Sequence, residues 1–320
     1  MSLLLKYFSI TLSLFSLLLA TLIMTLGYWP ETTFSISLSY LLLFSPRWWL
    51  IILSLLPLFV LKQLSKWQYL SWALCAVVFF QFQDIQLHWP SERRGEMSIL
   101  TLNSGGGANA AEIHNLVEQY QPDVVFMQES NLALLEKVFD ARWYRHCDSL
   151  CTASRTPLEH QGSISRSTFG GWGNFAVFYQ TTINDQVVHL ANIHLETPRS
   201  TITSLLHRNV DKNAFADLHF ARNMETSLVG SWAKQHRDFI IAGDFNMTVQ
   251  EKLYQKYLST YQNAIDTAGS GINYSKYTTW HGTRIDHILA SDEFSIQSAK
   301  ALAAVGGDHH PILASFTYRP

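Results

Sequence analysis

Cysteine is scarce in this chain. Three cysteines occur among 320 residues; Cys75 lies in an apolar run, which leaves Cys147 and Cys151 in the remainder. No other Cys or Cys-His spacing accompanies this pair, so the sequence does not favour a cysteine-based metal site. A close pair can form a disulfide in an exported domain. Because sequence gives no Cα separation, it leaves open whether these two are bonded or free.

Positive charge is also in short supply. Residues 1–90 contribute four of the 23 Lys and Arg and two of the 25 Asp and Glu, so the rest of the chain carries 19 basic and 23 acidic residues, a net charge of −4. A tight nucleic-acid binder is expected to present a basic surface. The overall charge therefore argues against such binding, although a local basic groove would be compatible with it.

The first 84 residues are dominated by apolar runs. Residues 3–26 are long enough to span a bilayer. They lack an obvious small-residue cleavage site, which favours an anchor over the alternative of a cleaved signal peptide. Further runs cover residues 48–61 and 67–82. We predict three transmembrane helices in residues 1–84, with two as the alternative, and a linker over residues 85–96.

Lysines indicate the orientation of these spans. Lys62 and Lys66 lie between the second and third runs, and Lys6 precedes the first. The positive-inside rule places both segments on the cytoplasmic side, although Arg93 and Arg94 beyond the third run oppose this. The sequence thus predicts a multi-pass protein of the inner (cytoplasmic) membrane, with the rest of the chain on the outer, periplasmic face.

Residues 97–320 alternate between strand and helix patterns. Helical spacing predicts helices at residues 109–120 and 132–139 and over most of residues 201–236. Apolar runs predict strands at residues 98–102, 124–127, 147–154, 174–179, 187–195, 285–290, 294–299 and 312–316. This alternation indicates an α/β domain. Gly105-Gly106-Gly107 follows the first strand without a subsequent Lys-Ser/Thr, so it predicts a turn rather than a P-loop.

Polar residues recur where the apolar runs end. Asp244 and Asn246 follow the run 239–242, and residues i and i+2 of an extended segment lie on the same side. Both side chains are therefore expected in one cleft. The other strand-end or strand-start positions are Asn103, Glu129, His194, Asp286 and Asp308-His309. A chain that repeatedly places Asp, Glu, His and Asn at strand ends indicates a functional site.

These positions carry a resemblance to a known family. The motifs, in order, are Asn103, Gln128-Glu129, Ser154-Arg155-x-Pro157, Asn192-x-His194-Leu195, Gly243-Asp244-Phe245-Asn246, Ile285-Asp286-His287-Ile288 and Asp308-His309-x-Pro311. Together they resemble the endonuclease/exonuclease/phosphatase (DNase I-like) superfamily, and its membrane-anchored bacterial branch in particular, over roughly residues 97–318. The resemblance implies a four-layer α/β/β/α sandwich, two mixed sheets flanked by helices, after the N-terminal transmembrane helices.

The resemblance also implies a metal site. Glu129 would be the principal Mg²⁺ ligand, with Asn103 and Asp308 near the metal. Hard oxygen ligands that leave room for water and a substrate phosphate suit Mg²⁺. Mn²⁺ is the alternative cation.

Five further residues take roles from the family. Asp244 would orient or deprotonate the attacking water, and Asn246 would hold a phosphate oxygen. His309 would contact the phosphate, with its tautomer and protonated form favoured by Asp286. His194 would contact the phosphate or protonate the leaving group.

The chain departs from the family in one respect. No clear equivalent of the family's additional acid or tyrosine lies between Arg155 and His194, and Tyr179 is a candidate for it. Arg155 and Arg199 are interpreted either as phosphate ligands or as solvated loop residues.

The predicted function is a membrane-anchored, Mg²⁺-dependent phosphoesterase. It would act on phosphodiester, or phosphomonoester, bonds of nucleic acid or phospholipid headgroups. The alternative is a non-catalytic, membrane-tethered binding module. No protein partner is evident.

Overall fold

The computed structural model describes residues 2–105, 107–209 and 211–319. Gly106 and Val210, which fall in the predicted glycine turn and the predicted long helix, lie outside the described residues. The chain forms two compact units. One comprises Met1–Ile85 with Gln250–Lys252, and the other comprises Gln86–Val249 with Leu253–Pro320.

Helices make up the N-terminal unit. They are α1 (Ser2–Met24), α2 (Thr33–Phe44), α3 (Trp49–Leu55) and α4 (Lys66–Gln81), with 3₁₀ turns at Leu26–Tyr28 and Leu56–Gln63. Polar side chains define two helix starts. Thr32 caps α2, and Ser65 forms a reciprocal capping box with Gln68 at α4.

Among the described residues, one helix is long and apolar enough to cross a membrane, Leu3–Met24. A helix near the N-terminus with these properties also fits a signal sequence. Thr33–Phe44 and Trp49–Val60 reach the required length and apolarity only together, and they are bent by 80°. The third predicted span forms α4, whose 16 residues fall short of the roughly 20 that a span needs. The structure therefore supports one span, or two, and the prediction of three is not confirmed.

The second unit is built on two six-stranded mixed sheets. The first sheet has the order β15-β16-β2-β3-β5-β4, and the second has the order β10-β14-β9-β8-β7-β6. The strands of the first sheet are β2 (Met97–Asn103), β3 (Val124–Gln128), β4 (Tyr144–Asp148), β5 (Leu150–Ser154), β15 (Phe294–Ala301) and β16 (Ile312–Tyr318). Those of the second are β6 (Glu159–Ser165), β7 (Asn174–Ile183), β8 (Gln186–His194), β9 (Phe239–Asp244), β10 (Gln262–Asn263) and β14 (Asp286–Ala290).

Helices and short strands complete this unit. Two-stranded ribbons pair β1 (Ile85–Leu87) with β11 (Ser270–Ile272) and β12 (Lys276–Tyr277) with β13 (Gly282–Thr283). The remaining helices are α5 (Ala110–Tyr120), α6 (Leu132–Val138), α7 (Arg199–Leu206), α8 (Lys212–Gln235), α9 (Lys252–Tyr257) and α10 (Ala264–Ala268).

The layers follow from strands that are apolar on both faces. In β2, Ile99 packs between the two sheets, whereas Leu100 and Leu102 pack with Ile113 and Leu116 of α5. This two-sided burial explains the unbroken apolar run that marks the strand in the sequence. On the other side, α8 and α9 pack against the second sheet. The predicted four-layer α/β/β/α sandwich is confirmed.

Two predicted elements are divided in the structure. The predicted strand 147–154 is a hairpin of β4 and β5, which turns at Ser149 with φ of 63°. Cys147 and Cys151 face each other across this hairpin and form a disulfide. The predicted helix over residues 201–236 is interrupted between α7 and α8, where Asp211 caps α8 by accepting from Asn213 N and Ala214 N.

Candidate active site

The site forms where four central strands end. Asn103 is the last residue of β2, Glu129 follows β3, His194 ends β8 and Asp244 ends β9. Because β2 is parallel to β3 and β8 is parallel to β9, their carboxyl ends lie at one edge of each sheet. The register of the second sheet pairs Asp244 with both His194 and Asp286.

One carboxylate oxygen lies at the centre of this group. Asp244 Oδ2 accepts a hydrogen bond from Asn103 Nδ2 at 3.0 Å, and it lies 3.7 Å from His194 Nε2 and 3.9 Å from His309 Nε2. Asn103 Nδ2 also donates to Glu129 Oε1 at 3.0 Å. Asn103 comes from the first sheet and Asp244 from the second, so one amide joins the two halves of the site.

His309 is paired with Asp286. The His309 Nδ1 to Asp286 Oδ2 distance is 2.8 Å, and both side chains are buried. Burial opposes protonation of the ring, but the charge and hydrogen bond of Asp286, with the charge of Asp244, raise the pKa of His309 to about 9. The ring is therefore an imidazolium at neutral pH, and Nε2 is free to face the centre of the site as a donor.

Asp244 is electrostatically disfavoured as an anion. Burial, and next the charge of Asp286, raise the pKa of the Asp244 carboxyl, while His309, His194 and Asn103 oppose the shift. A buried carboxylate whose proton affinity is raised is suited to accept a proton from water.

The turn after β9 positions Asn246. Gly243 has a φ of 153°, and a Cβ at this position would lie 1.9 Å from the Ile193 carbonyl oxygen, so no other residue fits there. Asn246 follows in the left-handed region with φ of 50°. Its backbone N–H donates to Asp244 Oδ1 at 2.8 Å and its Nδ2 donates to the Leu195 carbonyl at 2.9 Å. The turn therefore ties the Asn246 backbone to the Asp244 carboxylate, and the shared cleft for the two side chains stays a prediction.

Asp308 lies at the rim rather than at the centre. Its side chain is 52% exposed and pairs with the ammonium group of Lys276 in β12. Partial burial raises the pKa of Asp308, but the hydrogen bond and charge of Lys276 outweigh it and lower the pKa. Sequence reasoning missed Lys276, because it lies in a two-residue strand more than 30 positions before its partner in the chain.

The donor set fits a divalent cation. Ligand atoms of Asp244, Asp286 and His309 lie within 4.8 Å of one another, but a protonated His309 ring has no lone pair for a cation. The oxygen donors are therefore the carboxylates of Asp244 and Asp286 and the half-exposed carboxylate of Glu129 beside Asn103. Asp286 Oδ1 is buried and has no hydrogen-bond partner among the described residues. A buried carboxylate oxygen of this kind needs a proton donor or a cation.

A second set of buried charges supports the loops that carry the site. Glu225 of α8 is buried; its Oε1 accepts from Arg166 Nε at 2.8 Å and its Oε2 accepts from Glu196 N at 2.6 Å. Burial raises the pKa of Glu225, although Arg166 opposes the shift. Arg222 donates to the carbonyls of Glu196 and Asn246. Sequence patterns gave no signal for these residues, since they lie within a helix whose buried face reads as apolar.

Tyr179 and Arg155 have structural contacts, and Arg199 lies at the surface. Tyr179 is fully buried between the sheets and contacts His146, so it is not the missing family residue. Arg155 donates to the Pro122 carbonyl and to Gln121 and lies over the Trp143 ring, which is a structural role. Arg199 is exposed at the start of α7.

Comparison with known proteins is consistent with this geometry. No curated protein sequence matches the chain. The structure is similar to that of truncated TDP2 from Caenorhabditis elegans, with a TM-score of 0.53, 17% identity and coverage of 70% of this chain and 98% of the other. It also resembles an endonuclease/exonuclease/phosphatase from Bacteroides vulgatus, with a TM-score of 0.52, 16% identity and coverage of 70% and 99%. The 3′ phosphatase NExo from Neisseria, bound to a product DNA hairpin, gives a TM-score of 0.50, 16% identity and coverage of 69% and 99%. These likenesses show the fold.

The sequence itself decides the family. Residues 100–309 match the profile of the Endonuclease/Exonuclease/phosphatase family, a span that includes every one of the predicted site residues. Members of this family are metal-dependent phosphoester hydrolases. This chain belongs to the Endonuclease/Exonuclease/phosphatase family and is a metal-dependent phosphoester hydrolase.

Proposed function

We propose that this protein is a membrane-anchored, Mg²⁺-dependent phosphodiesterase that hydrolyses nucleic acid by attack of water on phosphorus. The observation that carries the proposal is the convergence on Asp244 Oδ2 of Asn103, His194 and His309, at distances of 3.0, 3.7 and 3.9 Å. A proton acceptor surrounded by donors is the arrangement that hydrolysis of a phosphoester requires.

Each group in this arrangement has one task. Asp244 takes the proton from the attacking water, because its raised pKa favours proton uptake. His309, held as an imidazolium by Asp286, neutralises a phosphate oxygen. His194, which is partly exposed, contacts the phosphate or protonates the leaving oxygen. Asn246 uses one amide N–H on Leu195 and has a second for a phosphate oxygen.

Glu129, with Asn103 and Asp308 beside it, would hold the Mg²⁺, and Mn²⁺ suits the same oxygens. When bound, the cation would stabilise the negative charge that develops on the phosphoryl group. Asn103 donates to both Glu129 and Asp244 and so sets the spacing of the two carboxylates. Asp308 must first leave Lys276, whose ammonium otherwise neutralises it.

Two solved neighbours favour a nucleic-acid substrate. TDP2 from D. rerio was solved with a single-strand DNA product, at a TM-score of 0.50, 18% identity and coverage of 69% of this chain and 98% of that one. NExo is a 3′ phosphatase bound to DNA, so a phosphomonoester at a DNA end is also a candidate. The apolar helix Leu3–Met24 favours a phospholipid headgroup as the second candidate, because an anchor would keep the site near lipid.

We further propose that residues 1–84 anchor the protein, residues 85–96 form a linker and residues 97–320 form the hydrolase domain. The predicted location is the inner membrane, multi-pass, with the hydrolase domain on the periplasmic face. The disulfide between Cys147 and Cys151 supports this face, because such bonds persist in oxidising compartments.

The test is hydrolysis by the full chain in detergent micelles with Mg²⁺, Mn²⁺ or EDTA. The substrates are single- and double-stranded DNA, a 3′-phosphorylated oligonucleotide and phospholipid vesicles. We expect cleavage of DNA that requires Mg²⁺ and is lost in His309→Ala. Turnover of phospholipid but not of DNA would show that the substrate is a phospholipid headgroup. Cleavage of DNA that persists in EDTA or in His309→Ala would contradict the proposed site.

A further inference from the structure

An exposed tryptophan lies at the end of the second sheet where the site forms, in the loop before β7, whose first residues pair with the carboxyl end of β8. Trp172 lies in the loop between β6 and β7, and 92% of its surface is accessible to solvent. Tryptophan is normally buried for most of its area, because the indole is large and apolar. Full exposure at this end of the sheet therefore points to contact with something outside this chain.

The loop that carries Trp172 is ordered by its own hydrogen bonds. Arg166 N donates to the Gly173 carbonyl at 2.9 Å, and Gly171 N donates to the Arg166 carbonyl at 3.0 Å. Gly170 and Gly173 each have a φ of 78°, which other residues rarely adopt. The indole is thus presented from a closed loop, so little conformational entropy is lost when a ligand stacks on it.

The same loop is tied to the catalytic histidine. The Arg166 guanidinium donates to the backbone carbonyl of His194 and to Glu225. Trp172 is therefore connected to the backbone of His194 through one side chain and one backbone hydrogen bond.

Resting on the proposed function, we propose that Trp172 is a stacking platform for a nucleobase adjacent to the scissile phosphoester. An indole ring stacks on any base, which gives affinity for single-stranded or frayed ends without sequence preference. A nucleobase is uncharged, so stacking on it needs no basic residue in this loop, whereas attraction to an anionic lipid surface does. Interfacial anchors combine apolar residues with free Lys or Arg, whereas the sole charged residue in positions 166–173, Arg166, is neutralised by Glu225 and Glu196.

The experiment compares Trp172→Ala and Trp172→Phe in the full chain in detergent micelles. The matched control is Trp89→Ala, which removes an indole that is also 92% exposed but follows His88, whose ring contacts the Asp266 carbonyl in α10. Substrates are oligo-dT and the same oligomer with abasic residues on both sides of the scissile phosphate. We expect Trp172→Ala to raise KM on oligo-dT about tenfold, within the roughly 5- to 150-fold that base stacking contributes.

Three further results follow from stacking. The preference of the wild type for oligo-dT over the abasic oligomer should fall to about one in Trp172→Ala, since stacking needs a base. Trp172→Phe should recover most of the loss, because a phenyl ring also stacks. Trp89→Ala should match the wild type on both substrates. Equal KM values on oligo-dT for Trp172→Ala and wild type would overturn the proposal.

A binding measurement separates this inference from the proposed function. Fluorescein-labelled oligo-dT is titrated with Asp244→Asn and with Asp244→Asn/Trp172→Ala, and the dissociation constant should rise about tenfold in the double variant. Trp172-dependent binding without hydrolysis by the wild type would sink the proposed function and leave the platform intact. Hydrolysis of oligo-dT that is unchanged in Trp172→Ala would overturn the platform and leave the proposed function intact. Weaker binding of anionic vesicles by Trp172→Ala, with unchanged oligo-dT binding, would reassign the indole to lipid.

Discussion

Asp286 and His287 are neighbours in one strand, both buried, and they face opposite sides of the second sheet. On the side that packs beneath the helices, His287 Nε2 lies 2.9 Å from the Met247 carbonyl, and Nδ1 lies 3.2 Å from Asn263 Nδ2. On the side that faces the site, Asp286 Oδ2 is hydrogen-bonded to His309, and Oδ1 has no partner among the described residues. Both residues are buried, so burial does not tell a functional residue from a structural one here. The difference is that Asp286 has an oxygen with unused hydrogen-bonding capacity.

Arg284 extends the comparison along the same segment. This buried arginine donates to Asn263 and pairs with Asp266, so its charge is matched on the structural side. His287 and Arg284 thus bond to neighbouring polar groups behind the sheet, whereas Asp286 keeps one oxygen open for water or a cation on the side of the site.

The strongest test is Asp244→Asn. We expect kcat to fall about 10³-fold, within the 10²- to 10⁴-fold range of general base catalysis. Stability should stay the same or rise, because the substitution removes one of two buried carboxylates that repel each other. Steady-state kinetics and thermal unfolding check both parts. A lower unfolding temperature together with near-normal kcat would place Asp244 on the structural side of the comparison.

The opposite result is expected for His287→Ala. Loss of a buried ring that binds Met247 and Asn263 should lower the free energy of unfolding by about 3 kcal/mol, through a cavity and unpaired polar groups. The kcat of the folded fraction should stay within about threefold. Urea denaturation measures the first effect, and exposed His207→Ala, with an expected change within about 0.5 kcal/mol, is the control.

Asp286→Asn should change the pH dependence of activity. Without the carboxylate, the pKa of His309 falls from about 9 toward its unperturbed value of about 6.5, so at pH 8 only about one ring in 30 stays protonated. The loss of kcat/KM relative to wild type should therefore be about 30-fold greater at pH 8 than well below pH 6. A loss that is equal at both pH values would show that Asp286 acts otherwise than through the His309 proton.

The same pair makes a prediction for stability. The folded-state pKa of His309 lies above the unfolded value, so protonation stabilises the folded protein fully below about pH 6.5, and this contribution is lost as the pH rises through about 9. The stability difference between wild type and Asp286→Asn should shrink over that window, as measured by urea unfolding at several pH values.

The smallest effect is expected for the disulfide. Replacing Cys147 and Cys151 with serine should lower the free energy of unfolding by about 2 kcal/mol, because the bond closes a short loop with a sequence separation of 4. The kcat should change less than about threefold, since Asn192 still holds the Cys151 carbonyl at 2.9 Å. A tenfold drop in kcat would show that the bond itself positions the site.

The sequence predicts the site well where strands supply it. Asn103, His194 and Asp244 end apolar runs, and the run marks the strand while the polar residue marks its end. Because neighbouring strands in each pair are parallel, their carboxyl ends then meet at one edge of the sheet. Asp286 begins β14 and His309 lies three residues before β16, and both strands run antiparallel to a central neighbour, so their starting ends meet the same edge.

Residues from other elements could not be found this way. Lys276 meets Asp308 through a two-residue strand, and Glu225 reaches Arg166 from the middle of a helix. Neither contact follows from periodicity, since each depends on how a loop folds back in three dimensions. The sequence does not predict the β4–β5 hairpin, because its turn residue, Ser149, adopts a positive φ that is uncommon for serine.

An amide pair deep between the sheets fixes how the two halves of the site align. Gln128 of β3 donates to Asn192 of β8 at 2.8 Å, and Asn192 donates to Thr152 of β5. Sliding one sheet over the other by a residue would strand these amides in an apolar interior. The hydrogen bonds of these amides are satisfied in only one relative position of the two sheets. A shift of one sheet would also separate Asn103 from Asp244, which lie on different sheets, so the buried amides fix the spacing of the site.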